Sequence, residues 1–139
     1  MTERLDLAKV TVGQELAPIE KFMTQEKINA YIDAAEDYNP IHVDPDFAST
    51  TRFGSTVAHG MLLYGVICGV LGEHFPGSSQ IEQRLMFVAP TFAGEEVTTH
   101  IVVVDVDDDN HLFRLAVVMS ATDGKIVCDG ETTLRWSER

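Results

Sequence analysis

A chain of 139 residues has room for one hydrophobic core, so residues 1–139 are read as a single domain. With 45% apolar and 23% charged residues it is neither a disordered nor a fibrous chain. Its 22 Asp and Glu against 10 Lys and Arg leave a formal charge of -12, a field that repels nucleic-acid phosphates and anionic lipid, so neither a nucleic acid nor a membrane is an expected partner.

Cys68 and Cys128 have the spacing of neither a zinc site nor a Cys-x-x-Cys pair, and both are expected as reduced, buried thiols. The N-terminus carries no basic segment followed by an apolar one, and the longest apolar run, Met61 to Gly72, falls short of the roughly 20 residues that cross a bilayer. A cytoplasmic protein is the expectation.

In chain order, Ile19 to Met23 reads as a short strand. Thr24 then caps a helix from Gln25 to about Glu36, because Ile28, Tyr31, Ile32 and Ala35 recur at three- and four-residue steps and form one apolar stripe. From Asp37 to Ser55, Pro40, Pro45 and a Thr-Thr-Arg-Phe-Gly stretch interrupt regular structure and mark a functional loop. Val57 to about Phe75 is apolar nearly all round and reads as an enclosed helix, whose Gly60, Gly65, Gly69 and Gly72 allow its backbone to approach another surface closely. Pro76 and Gly77 end it. Strands follow over Gln83 to Val88, Glu95 to Val106, Leu112 to Ala121 and Ile126 to Trp136, separated by turns at Asp107–Asn110 and Thr122–Lys125. The order predicts an α+β fold, an antiparallel sheet wrapped around one long central helix.

The chemistry lies in two clusters. Asp37 and His42 stand five residues apart across Pro40, so no continuous helix can diverge them, and Asn39 before a proline is pushed to extended geometry that turns the chain sharply. A carboxylate and an imidazole sharing a water form a general acid and base pair near neutral pH. Taken alone, the same two residues also fit a turn cap and a polar loop histidine. The second cluster, Phe53 to Leu62, opens the apolar helix, where free backbone amides are oriented donors. Gly60 could stabilise negative charge on a carbonyl oxygen there, and His59 beside it fits a structural or a catalytic role equally.

Together, Ala-Glu-Asp-Tyr-Asn-Pro-Ile-His-Val-Asp-Pro-Asp-Phe-Ala from Ala35 and Thr-Val-Ala-His-Gly-Met-Leu from Thr56 resemble the hydratase signature of the MaoC-like family, the (R)-specific enoyl-CoA hydratases. Phe87 to Pro90 and Phe92 to Val97 resemble its next strand, turn and strand, extending the likeness over about residues 20 to 105. The resemblance implies a hot-dog fold. It implies that Asp37 and His42 are the catalytic pair that activates water, that the Gly60 amide binds the thioester oxygen, and that Asn39, with Pro40, shapes the catalytic turn. His59 and Cys68 are placed as site-shaping residues. Two positions depart from the family pattern: Glu36 stands where glycine is usual, and Cys68 where serine is common.

The resemblance thus implies a hydratase or dehydratase, a lyase, that interconverts trans-2-enoyl-CoA and (R)-3-hydroxyacyl-CoA. Coenzyme A enters as part of the substrate, and no metal or other cofactor is implied. Arg52 and Arg84 are the cations first considered for its phosphates. A hot-dog thioesterase is the alternative, disfavoured because Met61 to Gly72 holds no carboxylate, and a non-catalytic acyl-thioester binding subunit is another. With a thin core and open sheet edges, a homodimer or dimer-based oligomer is expected.

Overall fold

The computed structural model describes residues 5–136, so residues 1–4 and 137–139 of the expected domain lie outside the described residues. Five strands form one antiparallel sheet in the order β1-β3-β4-β5-β2: β1 Ile19–Phe22, β2 Ser79–Met86, β3 Glu96–Asp107, β4 Leu112–Ser120 and β5 Ile126–Arg135. Three α-helices, α1 Gln25–Ala35, α2 Pro45–Ser49 and α3 Gly60–His74, lie between β1 and β2 in the chain. This is the α+β arrangement expected from the element order.

The sheet's inner face follows from strict alternation. Val97, Thr99, Ile101 and Val103 on β3, and Phe113, Leu115 and Val117 on β4, are all at most 2% exposed, while the residues between them point away. Leu63, Ile67, Val70 and Leu71 of α3 belong to the same buried cluster, and Trp136 stacks on Phe113 with ring centroids 3.8 Å apart. Phe75, at the end of α3, packs against Phe113 as well. Ile67, Leu71 and Phe75 are therefore core. Burial lowers the pKa of His74, whose Nε2 faces the Ala17 carbonyl at 3.3 Å.

Several expectations need correcting. The central helix begins at Gly60 instead of Val57, because Val57 bridges to Phe92 and the Ala58 amide donates to the Thr91 carbonyl, which holds this stretch extended. Nor is the helix enclosed on every side by its own chain. Met61 is 56% exposed, Gly65, Gly69 and Gly72 face the same open side, and a Cβ added at any of these glycines would meet nothing within 4 Å. Among the glycines of α3, Gly60 alone closely approaches a neighbour, the Phe87 ring. The segment after Asp37 is more regular than two prolines suggest: Pro40–His42 forms a 3-10 turn, and α2 starts with Pro45 in its first turn under an Asp44 cap that accepts from the Asp46 and Phe47 amides. A proline at the first helical position starts a helix, since its missing N–H would have had no partner there. Cys128 is buried, with its thiol pushed up to about 11 by burial, whereas Cys68 is only half-buried.

Helix α1 sets the position of the site. Of its predicted stripe, Ile28 and Ile32 pack with Ala58 in a second small cluster, whereas Tyr31 is half-buried and Ala35, in the last turn, is exposed. Docking α1 on Ala58 brings the residues after its C-terminus next to the first turn of α3.

Candidate active site

Helix α1 ends at Glu36, which adopts the left-handed conformation with φ 56°. This is the position where glycine is favoured, because a Cβ there crowds the backbone. The Glu36 side chain is exposed to solvent. Replacing Glu36 with glycine is expected to relieve that strain and raise stability by about 1 kcal/mol, read as a higher urea midpoint with turnover unchanged.

Beyond Glu36 the chain builds a rigid turn from its own polar groups. The Asn39 amide donates to Asp37 Oδ1 at 3.3 Å, and Asn39 Oδ1 accepts from the Ile41 amide at 3.3 Å. Asn39 is extended with φ -58° and ψ 123°, as a residue before proline prefers. Pro40 then starts the turn that carries His42. The His42 ring is buried, and its backbone carbonyl accepts from Gln25 Nε2 at 2.8 Å, which ties the turn to the start of α1.

The protonation of His42 follows from its partner. Its Nδ1 lies 2.8 Å from the Val57 carbonyl oxygen, and a carbonyl can only accept, so Nδ1 carries the proton. In the neutral ring Nε2 is then an acceptor. That nitrogen faces Asp37 Oδ2 at 4.0 Å. Two acceptors at this separation can both receive protons from one water, which leaves its oxygen lone pairs free.

His59 completes the cluster. Its ring stacks on His42 with centroids 3.5 Å apart and planes 23° from parallel, tilts against Tyr31 at 4.7 Å, and sets Nε2 3.7 Å from Asp37 Oδ2. Burial, reinforced by the neighbouring His42, holds the His59 pKa below the usual imidazole value. Asp37, His42 and His59 each offer a donor within 4.8 Å of the others and so could hold a metal ion.

The residue after His59 is Gly60, the first of α3. His59 caps the helix without a side-chain hydrogen bond and its carbonyl takes the Leu62 and Leu63 amides, so those of Gly60 and Met61 are left for another acceptor at the positive end of the helix dipole. A cleft of about 560 Å³ runs past this point, lined by His42, Gly60, Arg52, Phe53, Phe87 and Thr91 among others.

The sequence-derived residues thus divide. Asp37, Asn39, Pro40, His42, His59 and Gly60 come together. Cys68 does not join them: two turns along α3, its sulfur receives a hydrogen bond from Gln80 Nε2 at 3.2 Å, and Gln80 Oε1 accepts from the Tyr64 hydroxyl at 2.6 Å. Arg52 lines the cleft, its guanidinium 4.8 Å from the centre of the Phe53 ring. Arg84 is engaged elsewhere, on the sheet face turned away from α3, where Glu131 pairs with it at 3.3 Å and with Arg114 at 3.6 Å. Sequence reading passed over Val57, whose carbonyl sets the His42 tautomer, because a backbone role leaves no mark on residue type.

Residues 8–125 match the family model described as a MaoC like domain. The chain belongs to the MaoC-like family. It is 35% identical over 126 residues to the (R)-specific enoyl-CoA hydratase of Aeromonas caviae, covering 89% of this chain and 93% of that one. A 3-hydroxybutyryl-CoA dehydratase of Methylorubrum extorquens is 33% identical, with 84% and 75% covered. The solved structure of the (R)-hydratase from A. caviae superposes with a TM-score of 0.87 at 34% identity, covering 92% of this chain and 98% of that one. The MaoC-like sheet and helix are therefore those of the hot-dog hydratases.

Proposed function

We propose that this MaoC-like protein is a lyase that adds water to trans-2-enoyl-CoA to give (R)-3-hydroxyacyl-CoA, and runs the reverse dehydration. The observation that carries the proposal is the pair of acceptors, Asp37 Oδ2 and His42 Nε2, set 4.0 Å apart beside the first turn of an uncapped helix. Stereochemistry and carrier follow the named activity of the A. caviae relative.

In this reading one water donates to both acceptors. Its oxygen forms a bond to C3 while the C2=C3 π pair shifts toward the thioester and negative charge builds on the carbonyl oxygen. The Gly60 amide receives that charge. A donor aimed at developing oxyanion charge contributes about 3 to 4 kcal/mol to lowering such barriers. The proton taken from water by the Asp37–His42 pair is returned to C2, so H and OH have been added and both residues regain their starting state. Asn39 and Pro40 hold the turn. The reaction is written with side chains and backbone alone, without a metal or redox cofactor, and coenzyme A enters only with the substrate.

The acyl group is assigned to the cleft past Gly60, and Arg52 is the cleft cation available to an anionic carrier. Thioester hydrolysis is the weaker reading. The carboxylate that α3 does carry, Glu73, sits in its last turn, about 20 Å along the helix from Gly60, and pairs with Lys21 at 3.9 Å. A binding-only role leaves the two-acceptor geometry without a use. No described helix is long and apolar enough to cross a membrane, and a cytoplasmic location is proposed with the soluble substrate.

We also take the working form to be a homodimer. Edge strand β2 and the residues after it expose Ile81, Met86, Phe87 and Val88, each 46–68% accessible, beside the open Met61 side of α3. A second copy covering that side would enclose the helix and shut the cleft off from water. Sedimentation of active enzyme at the mass of one chain would overturn this.

The deciding experiment follows enoyl-thioester absorbance on adding protein to crotonyl-CoA, with free thiol monitored and with EDTA present and absent. Absorbance loss without thiol release, unaffected by EDTA, is expected. Thiol release would mean hydrolysis, and no change with crotonyl or longer enoyl-CoA would favour a binding role.

A further inference from the structure

Beside the pair that handles water stands a histidine with no hydrogen-bond partner. Both ring nitrogens of His59 are buried and unpaired, although the residue is only 4% exposed. Buried polar atoms are nearly always paired, and one that is not marks strain or a function. Three groups face this ring: Tyr31 from α1, Asp37 from the loop after it and His42 from the 3-10 turn. Asp37 alone offers oxygens toward this ring, its main-chain carbonyl and Oδ2, the latter 3.7 Å from Nε2 on a side chain that is 49% exposed.

Resting on the hydratase reading above, we propose that His59 is a positioning residue. Its Nε2–H donates to Asp37 Oδ2, while its ring, stacked under His42, holds that imidazole flat, so both acceptors are kept on one water. The chemistry of the neighbours sets its protonation. An ionised carboxylate only accepts, so the proton of neutral His59 sits on Nε2. A second positive charge stacked 3.5 Å from His42 would oppose the charge His42 takes up when it accepts the water proton, so His59 works as the neutral ring. Burial, which lowers its pKa, favours the same state. A small swing of Asp37 as substrate fills the cleft closes the 3.7 Å gap to a hydrogen bond and gives the orphaned nitrogen its partner.

The test separates the N–H from the ring. His59→Phe and His59→Leu remove both nitrogens, the first keeping a flat ring against His42, and His59→Gln returns an N–H near Nε2. With crotonyl-CoA, kcat is expected to fall about 10²-fold in His59→Phe with KM within about twofold, since slight misplacement of a catalytic group costs that much. His59→Gln should recover about tenfold in kcat. His59→Leu takes the place of His59→Phe if the latter does not fold.

A loss of less than threefold in His59→Phe overturns the inference. So does a loss that His59→Gln fails to recover, which would leave His59 a packing residue. Wild-type protein inert toward every enoyl thioester removes the hydratase reading and this one with it. Active wild-type enzyme with an indifferent His59 removes this one alone.

Discussion

Asp37→Asn is expected to lower kcat for enoyl-CoA hydration by about 10³-fold, within the range of a general acid or base, which is about 4 kcal/mol of barrier. An amide keeps the size of the carboxylate and its Oδ1 can still accept from the Asn39 amide, so the turn survives. What is lost is an acceptor able to take a proton at Oδ2. Because that atom is half-exposed and makes no hydrogen bond of its own, stability should shift by less than 1 kcal/mol. His42→Ala should cost as much in kcat for a different reason, and it also strips the Val57 carbonyl of its donor, so a further 1 to 3 kcal/mol of stability should go, at about the usual cost of an unpaired buried group. The double variant distinguishes a shared water from two independent roles. If both residues hold one water, Asp37→Asn with His42→Ala is no slower than the worse single variant, because groups acting as a unit are not additive. A further 10³-fold loss, or either single variant retaining a tenth of wild-type kcat, contradicts the mechanism. Single-turnover absorbance decay is the measurement, with thermal melts alongside.

How far the sequence reaches depends on the range of the interaction that decides each feature. The α1 stripe, the Asn39–Pro40 turn and the Gly124 turn, where φ is +83°, were legible because each is settled within four or five residues. Asp37 and His42 were legible for the same reason, since a proline between them forbids the helix that would part them. The start of α3 was misplaced because hydrogen bonds with Thr91 and Ala93, more than thirty residues away, outrank the local apolar run. Helix α2 was missed through reading Pro45 as a breaker when its position under Asp44 makes it an initiator. Of the α3 glycines that announced a close approach, Gly60 alone makes one among the described residues, because Gly65, Gly69 and Gly72 lie on the side of the helix that the sheet does not cover. His59 was visible as a residue, but its stack on His42 needs two loops brought together by α1 docking on Ala58, a contact no periodicity encodes. The pairing of β2 with β5 is likewise non-local, with two strands intervening in the chain.

That pairing supplies the largest expected loss of stability. Gly130 on β5 lies opposite Leu85 of β2, and a Cβ added there would fall inside the contact radius of the Arg84 carbonyl oxygen. The residue is not in a left-handed conformation, so the requirement is space rather than backbone freedom. A flexible side chain could swing aside, but a strand carbonyl cannot move without taking its ladder along. Gly130→Ala is therefore expected at the upper end of overpacking costs, about 3 kcal/mol, seen as a fall of about 10 °C in Tm. The consequence reaches the site. Strand β2 runs directly into Phe87, whose ring touches the space over Gly60, and the Val88 amide is tied to the Val127 carbonyl on β5 at 3.1 Å. Prying β2 from β5 shifts the Phe87 wall of the cleft, so KM for enoyl-CoA should rise severalfold while kcat changes little, because Asp37, His42 and His59 hang on α1 and the loop before α3. A melting temperature within 2 °C of wild type would mean that β2 yields freely at Arg84, and the edge strand would then lose its role in holding the cleft.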